Sequence, residues 1–88
     1  MELNKLRYFY IVAKYEHMTR AAEEMHIAQP ALTKTIKALE DELGVPLFMK
    51  KGRNIVLTPF GEYLKIKLDG IFPQLDRIPE ELKSLQTQ

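Results

Sequence analysis

Two short helical patterns, separated by a four-residue joint, occupy residues 19–44 of this 88-residue chain. The apolar residues of the second pattern recur at steps of four, three and four, the spacing of one helix face: Leu32, Ile36, Leu39 and Leu43. The opposite face carries a proline and polar residues: Pro30, Thr33, Lys34 and Lys37. One face therefore suits a core and the other suits contact. Two short helices joined in this way predict a helix-turn-helix.

The composition is that of an ordinary soluble globular protein, with 45% hydrophobic and 28% charged residues. A chain of this length buries roughly 60% of its unfolded surface, so it should fold as one small domain. It contains no cysteine, which excludes disulfides and thiol catalysis. His17 and His26 lie nine residues apart with no carboxylate at a ligand spacing, so we predict no metal site and no cofactor in this domain.

No leader and no membrane span are expected. The start of the chain carries Glu2, Lys5 and Arg7 and has no apolar core of a signal peptide. No run of 18 apolar residues occurs anywhere in the sequence. We therefore expect a cytoplasmic protein without a membrane partner.

The local clustering of charge says more than the net charge of +1. Lys34 and Lys37 share one helix face, and Lys50, Lys51 and Arg53 surround Gly52. Clustered cations are what a DNA-facing surface needs, although a solvated mixed-charge surface accounts for the charges alone equally well.

Capping residues, prolines and glycines mark where the predicted helices and the hairpin begin and end. An amphipathic pattern predicts a first helix over residues 2–15, and Thr19 is the expected N-cap of the second helix. Pro30 suits the first turn of the third helix, which Gly44 should end. Two β-prone runs between Leu47 and Leu57 predict a hairpin with Gly52 near its tip. Thr58 followed by a proline predicts the start of a fourth helix.

The fourth helical pattern is a heptad seam with apolar residues in alternating steps of four and three: Leu64, Leu68, Ile71, Leu75, Ile78, Leu82 and Leu85. This strict period favours a partner helix from a second subunit over packing within one chain. Pro73 and Pro79 each remove a backbone hydrogen bond. Since both fall off the seam, we expect a kinked or twice-segmented helix that still serves as one dimerisation arm.

The sequence A-A-E-E-M-H-I-A-Q-P-A-L-T-K-T-I-K-A-L-E-D-E-L-G-V-P-L-F, the hairpin with K-x-x-R and the following L-T-P-x-G resemble the N-terminal domain of LysR-type transcriptional regulators. The resemblance implies a mainly α fold, a winged helix-turn-helix of three helices and a two-stranded wing over residues 1–58. It implies a linker and dimerisation helix over residues 59–88. A bacterial, dimeric, double-stranded-DNA-binding transcription regulator is the expected function.

The resemblance also implies a longer protein, with a C-terminal domain that usually binds a small-molecule effector and with a tetramer as a possible full-length assembly. Four positions depart from the family pattern. Ala28 stands where Ser often caps the recognition helix, and Thr33 stands where Ser is frequent. Lys34 and Lys50 stand where Arg is frequent, which replaces a planar fork by a single ammonium group.

The recognition helix, about residues 29–43, should lie in the major groove with its N-terminal residues at base edges. The expected base contacts are Gln29, Pro30, Thr33 and Lys34 in the major groove and wing residue Arg53 in the minor groove. The expected phosphate contacts are Thr19, Lys37, Lys50, Lys51 and Thr58. Capping alone is the competing role for the two threonines, and an exposed helix-starting residue is the competing role for Gln29.

Three other classes compete with this reading. A winged-helix module could bind protein through the third helix and the seam, although such a contact does not require a basic wing. A different winged-helix regulator, such as the molybdate-responsive type, would share this N-terminal domain. An enzyme is disfavoured, because the sequence has no glycine-rich phosphate loop, metal constellation or nucleophile-base pair.

Overall fold

The structure is a computed structural model that describes residues 1–86. Four helices and one hairpin follow one another along the chain: α1 (Leu3–Tyr15), α2 (Met18–Met25), α3 (Gln29–Leu43), β1 (Phe48–Lys51), β2 (Asn54–Leu57) and α4 (Pro59–Gln86). The fold is mainly α, with a single two-stranded antiparallel sheet among the described residues. The predicted order and kinds of element are thus confirmed.

Helices α1, α2 and α3 pack around one apolar core, to which the hairpin and α4 also contribute. Each helix directs one face inward, and the small side chains of Ala21 and Ala22 allow α2 to approach its neighbours closely. The fully buried side chains with the largest volumes are Phe9, Val12, Leu32, Leu39, Leu47 and Phe72. The inward face predicted for α3 is confirmed at Leu32, Ile36 and Leu39, while Leu43 is half-buried at the edge.

Helix α2 begins two residues earlier than the sequence suggested, because its N-cap is His17 and not Thr19. The backbone of His17 is extended (φ −156°, ψ 114°), and its ring Nδ1 accepts a hydrogen bond from the backbone N–H of Arg20 at 3.2 Å. Thr19 lies exposed inside the first turn. The prediction of Thr19 as N-cap is therefore wrong, because an imidazole nitrogen supplies the acceptor that a hydroxyl usually provides.

Helix α3 has no side-chain cap at its start and a left-handed residue at its end. Ala28 is the N-cap and makes no side-chain hydrogen bond, as its methyl group requires. Pro30 lies in the first turn, where its missing N–H has no helical partner in any case. Gly44 closes the helix with φ 74° and donates its N–H to the carbonyl of Glu40 at 2.8 Å.

The hairpin projects from the end of α3 as a wing. Its strands pair from Phe48 with Leu57 at the base to Lys51 with Asn54 next to the tip. Gly52 in the connection has φ 65°, a conformation that is cheap only for glycine. At the base, the Glu40 carboxylate accepts hydrogen bonds from the backbone N–H groups of Leu47 (2.7 Å) and Phe48 (3.3 Å). This carboxylate ties the wing to α3.

Thr58 caps α4 and joins it to the base of the wing. Its hydroxyl accepts a hydrogen bond from the N–H of Gly61 (3.1 Å) and donates one to the carbonyl of Pro46 (2.6 Å). Its own N–H donates to the carbonyl of Leu47 at 3.0 Å. The side chain is only 6% exposed. The predicted capping role is confirmed.

Helix α4 is continuous over 28 residues and passes through both prolines. Of the two alternatives expected from the sequence, a kinked helix and a twice-segmented helix, the twice-segmented one is wrong. Pro73 and Pro79 are both exposed, so the carbonyl groups of Asp69 and Leu75, which lose their helical donors, lie on a side that water can reach. The helix is about 42 Å long at 1.5 Å per residue, and it makes the molecule elongated, with extents of 54 × 26 × 21 Å.

The first half of α4 belongs to the same core as the helices before it. Phe72 is buried against α1, where it contacts Tyr10 edge-on (ring centroids 5.2 Å apart) and lies under the Arg7 guanidinium at 4.5 Å. Leu68 is 3% exposed, so its predicted place in a dimer interface is wrong. The core therefore extends across residue 58, the boundary expected between domain and linker.

Hydrogen-bonded side chains fasten α1 to α3 and to α4 on the outer surface. Lys5 donates to Glu42, and Tyr10 donates to Asp69. The hydrogen bond from Lys5 is the main reason that the pKa of Glu42 is lowered, and the same bond raises the pKa of Lys5. The hydrogen bond with Asp69 raises the pKa of Tyr10, and the pKa of Asp69 falls. Among the described residues, no helix is long and apolar enough to cross a membrane.

Candidate nucleic-acid interface

The outward side of α3 presents a group of exposed side chains that we call the reading face: Gln29, Pro30, Thr33, Lys34 and Lys37. At 100° per residue these five positions span an arc of about 140°, and Gln29 and Lys37 lie about 12 Å apart along the axis. The core residues of α3 lie outside that arc. A helix that is buried against the core on one side and exposed on the other has the geometry needed to enter a major groove.

Two of the predicted base-contacting residues touch each other within the reading face. The side-chain amide of Gln29 donates to the hydroxyl of Thr33 at 3.5 Å, the outer limit of a hydrogen bond. Such a long bond is weak, so the amide can leave it for a better partner. The pair leaves the amide oxygen of Gln29 free as an acceptor, so the side chain can donate and accept at once.

The wing carries three exposed cations close to its tip. Lys50 and Lys51 end β1, and Arg53 follows Gly52 in the connection. Because successive residues of a strand point to opposite faces, Lys50 and Lys51 project to different sides of the hairpin. The wing therefore offers positive charge on both of its faces and at its end.

The partners of the basic side chains differ between the two sides of the molecule. Cations on α1 and α4 are engaged by carboxylates or rings: Lys5 with Glu42, Arg7 with Asp76, Lys65 with Asp69, Lys14 with Tyr15 and Lys67 with Tyr63. Within residues 1–86, the cations without an ion pair or a ring contact are Arg20, Lys34, Lys37, Lys50, Lys51, Arg53, Arg77 and Lys83. Six of these eight lie on α2, α3 and the wing.

Two predicted phosphate contacts have different positions in the structure. Thr19 is exposed in the first turn of α2, where its hydroxyl is accessible. Thr58 is buried, and its hydroxyl already donates and accepts within the chain. We therefore leave Thr58 out of the candidate interface.

Two residues that matter for this surface carry no prediction from the sequence. Glu40 has no predicted role, yet its carboxylate fixes the base of the wing. Arg20 was given no role, yet it is an exposed cation with no ion pair in the described part of the chain. Its position in the T-R-A-A segment that opens α2 was the available signal.

A second exposed surface runs along α4 and borders the core at Leu64 and Leu75. We call it the apolar stripe, and its most exposed members are Phe60, Ile71, Ile78, Leu82 and Leu85. Leu64 and Leu75 border it and are half-buried against the core. The exposed fractions of Ile71 (52%) and Leu82 (60%) are far above those of core residues. A row of apolar side chains about 38 Å long, left in water, is typical of a protein contact surface.

Three helices, with the third exposed on one side, and a basic two-stranded wing define the winged helix-turn-helix class of protein. Residues 3–62 match the family described as bacterial regulatory helix-turn-helix proteins of the lysR family. The chain therefore belongs to the lysR family of DNA-binding transcription regulators.

Individual relatives agree with this assignment. The chain is 40% identical over 86 residues to the RuBisCO operon transcriptional regulator of Allochromatium vinosum, which covers 98% of this chain and 28% of the relative. It is 52% identical over 62 residues to the HTH-type transcriptional regulator BudR of Klebsiella aerogenes, over 70% of this chain and 43% of the relative. The chain thus spans less than half the length of these relatives.

A solved structure resembles the whole chain. The crystal structure of the BenM DBD in complex with catB site 1 DNA superposes with a TM-score of 0.90 at 33% identity, over 100% of this chain and 98% of that one. The similarity includes the long α4 helix. The predicted family, fold class and kind of regulator are therefore confirmed.

Proposed function

We propose that this chain is the domain with which a bacterial transcription regulator binds a specific sequence of double-stranded DNA. The observation that carries the proposal is the concentration of unpaired cations on α2, α3 and the wing, since a protein that neutralises phosphates needs cations free of internal partners. The DNA-bound BenM DBD supports it by its similarity along the whole chain. We place its action in the cytoplasm, where bacterial chromosomal DNA lies, and we propose a regulatory and not a catalytic role.

The reading face supplies the base contacts in this proposal. Gln29 matches the donor and acceptor pair of an adenine edge in the major groove, while Pro30 and Thr33 offer apolar contact to a thymine methyl. Lys34 reaches guanine or phosphate, and Lys37, one turn further along α3, reaches phosphate. Specificity then depends on residues at the N-terminal end of α3, which is the part of a recognition helix that meets base edges.

The wing supplies contacts beside the major groove. Arg53, next to the tip glycine, is suited to a neighbouring minor groove, where narrow A/T segments have an enhanced negative potential. Lys50 and Lys51 would then flank it on the phosphate backbone. Thr19, exposed at the start of α2, adds a further backbone contact.

A second copy of the chain is proposed to cover the apolar stripe. The apolar side chains at the free end of α4, Leu82 and Leu85, need a cover, and so does Phe60 at the other end of the stripe. An antiparallel pair of α4 helices covers both ends at once, whereas a parallel pair leaves Phe60 beside its own equivalent. Lys67 and Glu81 are two heptads apart on one flank, and antiparallel pairing brings them opposite each other. In the full-length protein, two such dimers would together make a tetramer.

The proposed DNA binding is tested with a duplex selected from a random pool and with a scrambled duplex of equal length. Over a salt series, the logarithm of the association constant should fall linearly with the logarithm of salt concentration. The selected duplex should bind about a thousandfold more tightly than the scrambled one. Absence of binding to either duplex at low salt would refute DNA binding, and equal binding to both would refute sequence specificity.

Replacing Gln29 by alanine should relax the base preference at one symmetric pair of positions. The loss of a paired donor and acceptor is expected to reduce discrimination there by about 1 to 3 kcal/mol, with little change at other positions. Selection of binding sites from random DNA measures this preference. Gln86→Ala, at the far end of α4, is the matched control and should leave the selected sequence unchanged. An unaltered preference in Gln29→Ala would remove this residue from base readout.

A further inference from the structure

A polar groove lies between the start of α2 and the outer part of the wing. It encloses about 380 Å³, and His17 and Arg20 line it on one side while Lys51 and Asn54 line it on the other. These residues come from segments more than 30 positions apart in the sequence. Neither Arg20 nor Lys51 forms an ion pair with any described residue. The fold therefore brings two unpaired cations to a single groove.

The hydrogen bond at the helix start determines what His17 can offer in the groove. Its Nδ1 accepts from the N–H of Arg20, so in the neutral ring the proton is on Nε2. Nε2 can then only donate a hydrogen bond. Together with the guanidinium, the ammonium and the Asn54 amide, the groove presents four donor groups. Glu16 is the one carboxylate among its lining residues.

We infer that this groove binds a phosphate of the DNA backbone, with Arg20 and Lys51 as its two cationic ligands. A guanidinium fork fits two phosphate oxygens, and an ammonium adds a second charge without geometric demands. Lys51 pairs with Asn54 directly next to the wing tip, so the groove is continuous with the position of Arg53. A backbone strand that passes from the wing tip toward α2 therefore meets the groove. The inference rests on the proposed DNA binding and names Arg20 as an additional ligand.

The salt dependence of binding tests this inference in the intact chain. Arg20→Gln should reduce the magnitude of the negative slope of log K against log salt by about 0.9 for each bound chain, the value for one phosphate contact on duplex DNA, and therefore by about 1.8 for the proposed dimer. Lys51→Gln should lower it by a similar amount. Both changes should weaken selected and scrambled duplexes equally, because a phosphate carries no sequence information. Lys83→Gln, which removes an unpaired cation from the far end of α4, should leave the slope unchanged.

A substitution of opposite sign completes the test. Glu16→Gln removes the carboxylate that repels a phosphate in the groove, so it should strengthen binding to both duplexes. Suppose that Arg20→Gln binds DNA and has the circular dichroism of the unmodified chain. An unchanged slope for this variant would then refute phosphate binding by the groove and leave the proposed function intact. Failure of the unmodified chain to bind DNA at low salt overturns both proposals.

Discussion

Alanine in place of Gly61 is expected to destabilise the protein by about 2 to 3 kcal/mol, at the upper end of the usual cost of overpacking. A Cβ atom at this position would lie 2.2 Å from the carbonyl oxygen of Leu47 and 2.9 Å from Cδ2 of Leu57. The carbonyl cannot simply move away, since it accepts the hydrogen bond from the N–H of Thr58. The methyl group therefore forces α4 away from the base of the wing.

Thermal unfolding measures the effect. For a domain of this size, a loss of that magnitude should lower Tm by roughly 10 to 20 °C. Because association stabilises a dimer by an amount that grows with the logarithm of protein concentration, unfolding is followed over a concentration series. A decrease of less than about 3 °C would mean that α4 and the wing separate without cost and that this contact is not needed for the fold.

Gly70→Ala is the matched control within the same helix. Nothing lies within 4 Å of a Cβ atom at Gly70, and the residue is exposed. Since glycine costs about 0.5 to 1 kcal/mol relative to alanine in a helix interior, this substitution should raise stability by that amount. The same substitution of glycine by alanine is thus expected to lower the free energy of unfolding at Gly61 and to raise it at Gly70, nine residues further along the chain.

The spacing of apolar residues, together with the prolines and glycines at the ends of elements, was sufficient to predict most of the fold. The steps of four and three in α3 identified its buried face, and Pro30 and Gly44 identified its ends, because these signals act within a few residues of one another. The hairpin followed from Gly52 between two β-prone runs. Local signals of this kind remain valid whatever the rest of the chain does.

Apart from the N-cap of α2, which is His17 and not Thr19, the errors concern contacts between distant segments. A heptad pattern indicates which side of α4 is apolar, but it does not distinguish Leu68, which packs in its own chain, from Ile71, which is exposed. Phe72, next to Pro73, is likewise buried against Tyr10 of α1, a contact that no spacing in the sequence indicates. The hydrogen bond that Glu40 accepts at the base of the wing cannot be predicted from the sequence, because it forms only where α3 meets the hairpin.

The candidate interface was predicted in part for the same reason. The reading face lies on one helix, so spacing alone placed Gln29, Thr33 and Lys37 together. The groove beside the wing combines α2 with β1 and β2, and no spacing in the sequence relates Arg20 to Lys51. Their roles in DNA binding stay predictions for experiment to decide.

Replacing Ile78 by glutamate should convert the proposed dimer to a monomer. Ile78 lies in the middle of the exposed part of the apolar stripe, so a carboxylate there would be buried without a partner in the dimer and solvated in the monomer. Sedimentation should then give the mass of one chain. The fold should persist, because Ile78 is 45% exposed and belongs to no buried cluster.

The same substitution should weaken binding to a duplex with two half-sites by about a hundredfold or more, because a dimer joins two binding events into one. Affinity for a single half-site should change little, since the reading face is untouched. Ile66→Glu is the matched control: Ile66 is 68% exposed and lies about 120° around α4 from Ile78, away from the stripe. This control should remain dimeric and bind normally. A dimeric Ile78→Glu chain, or a monomeric Ile66→Glu chain, would show that the subunits associate through a different surface.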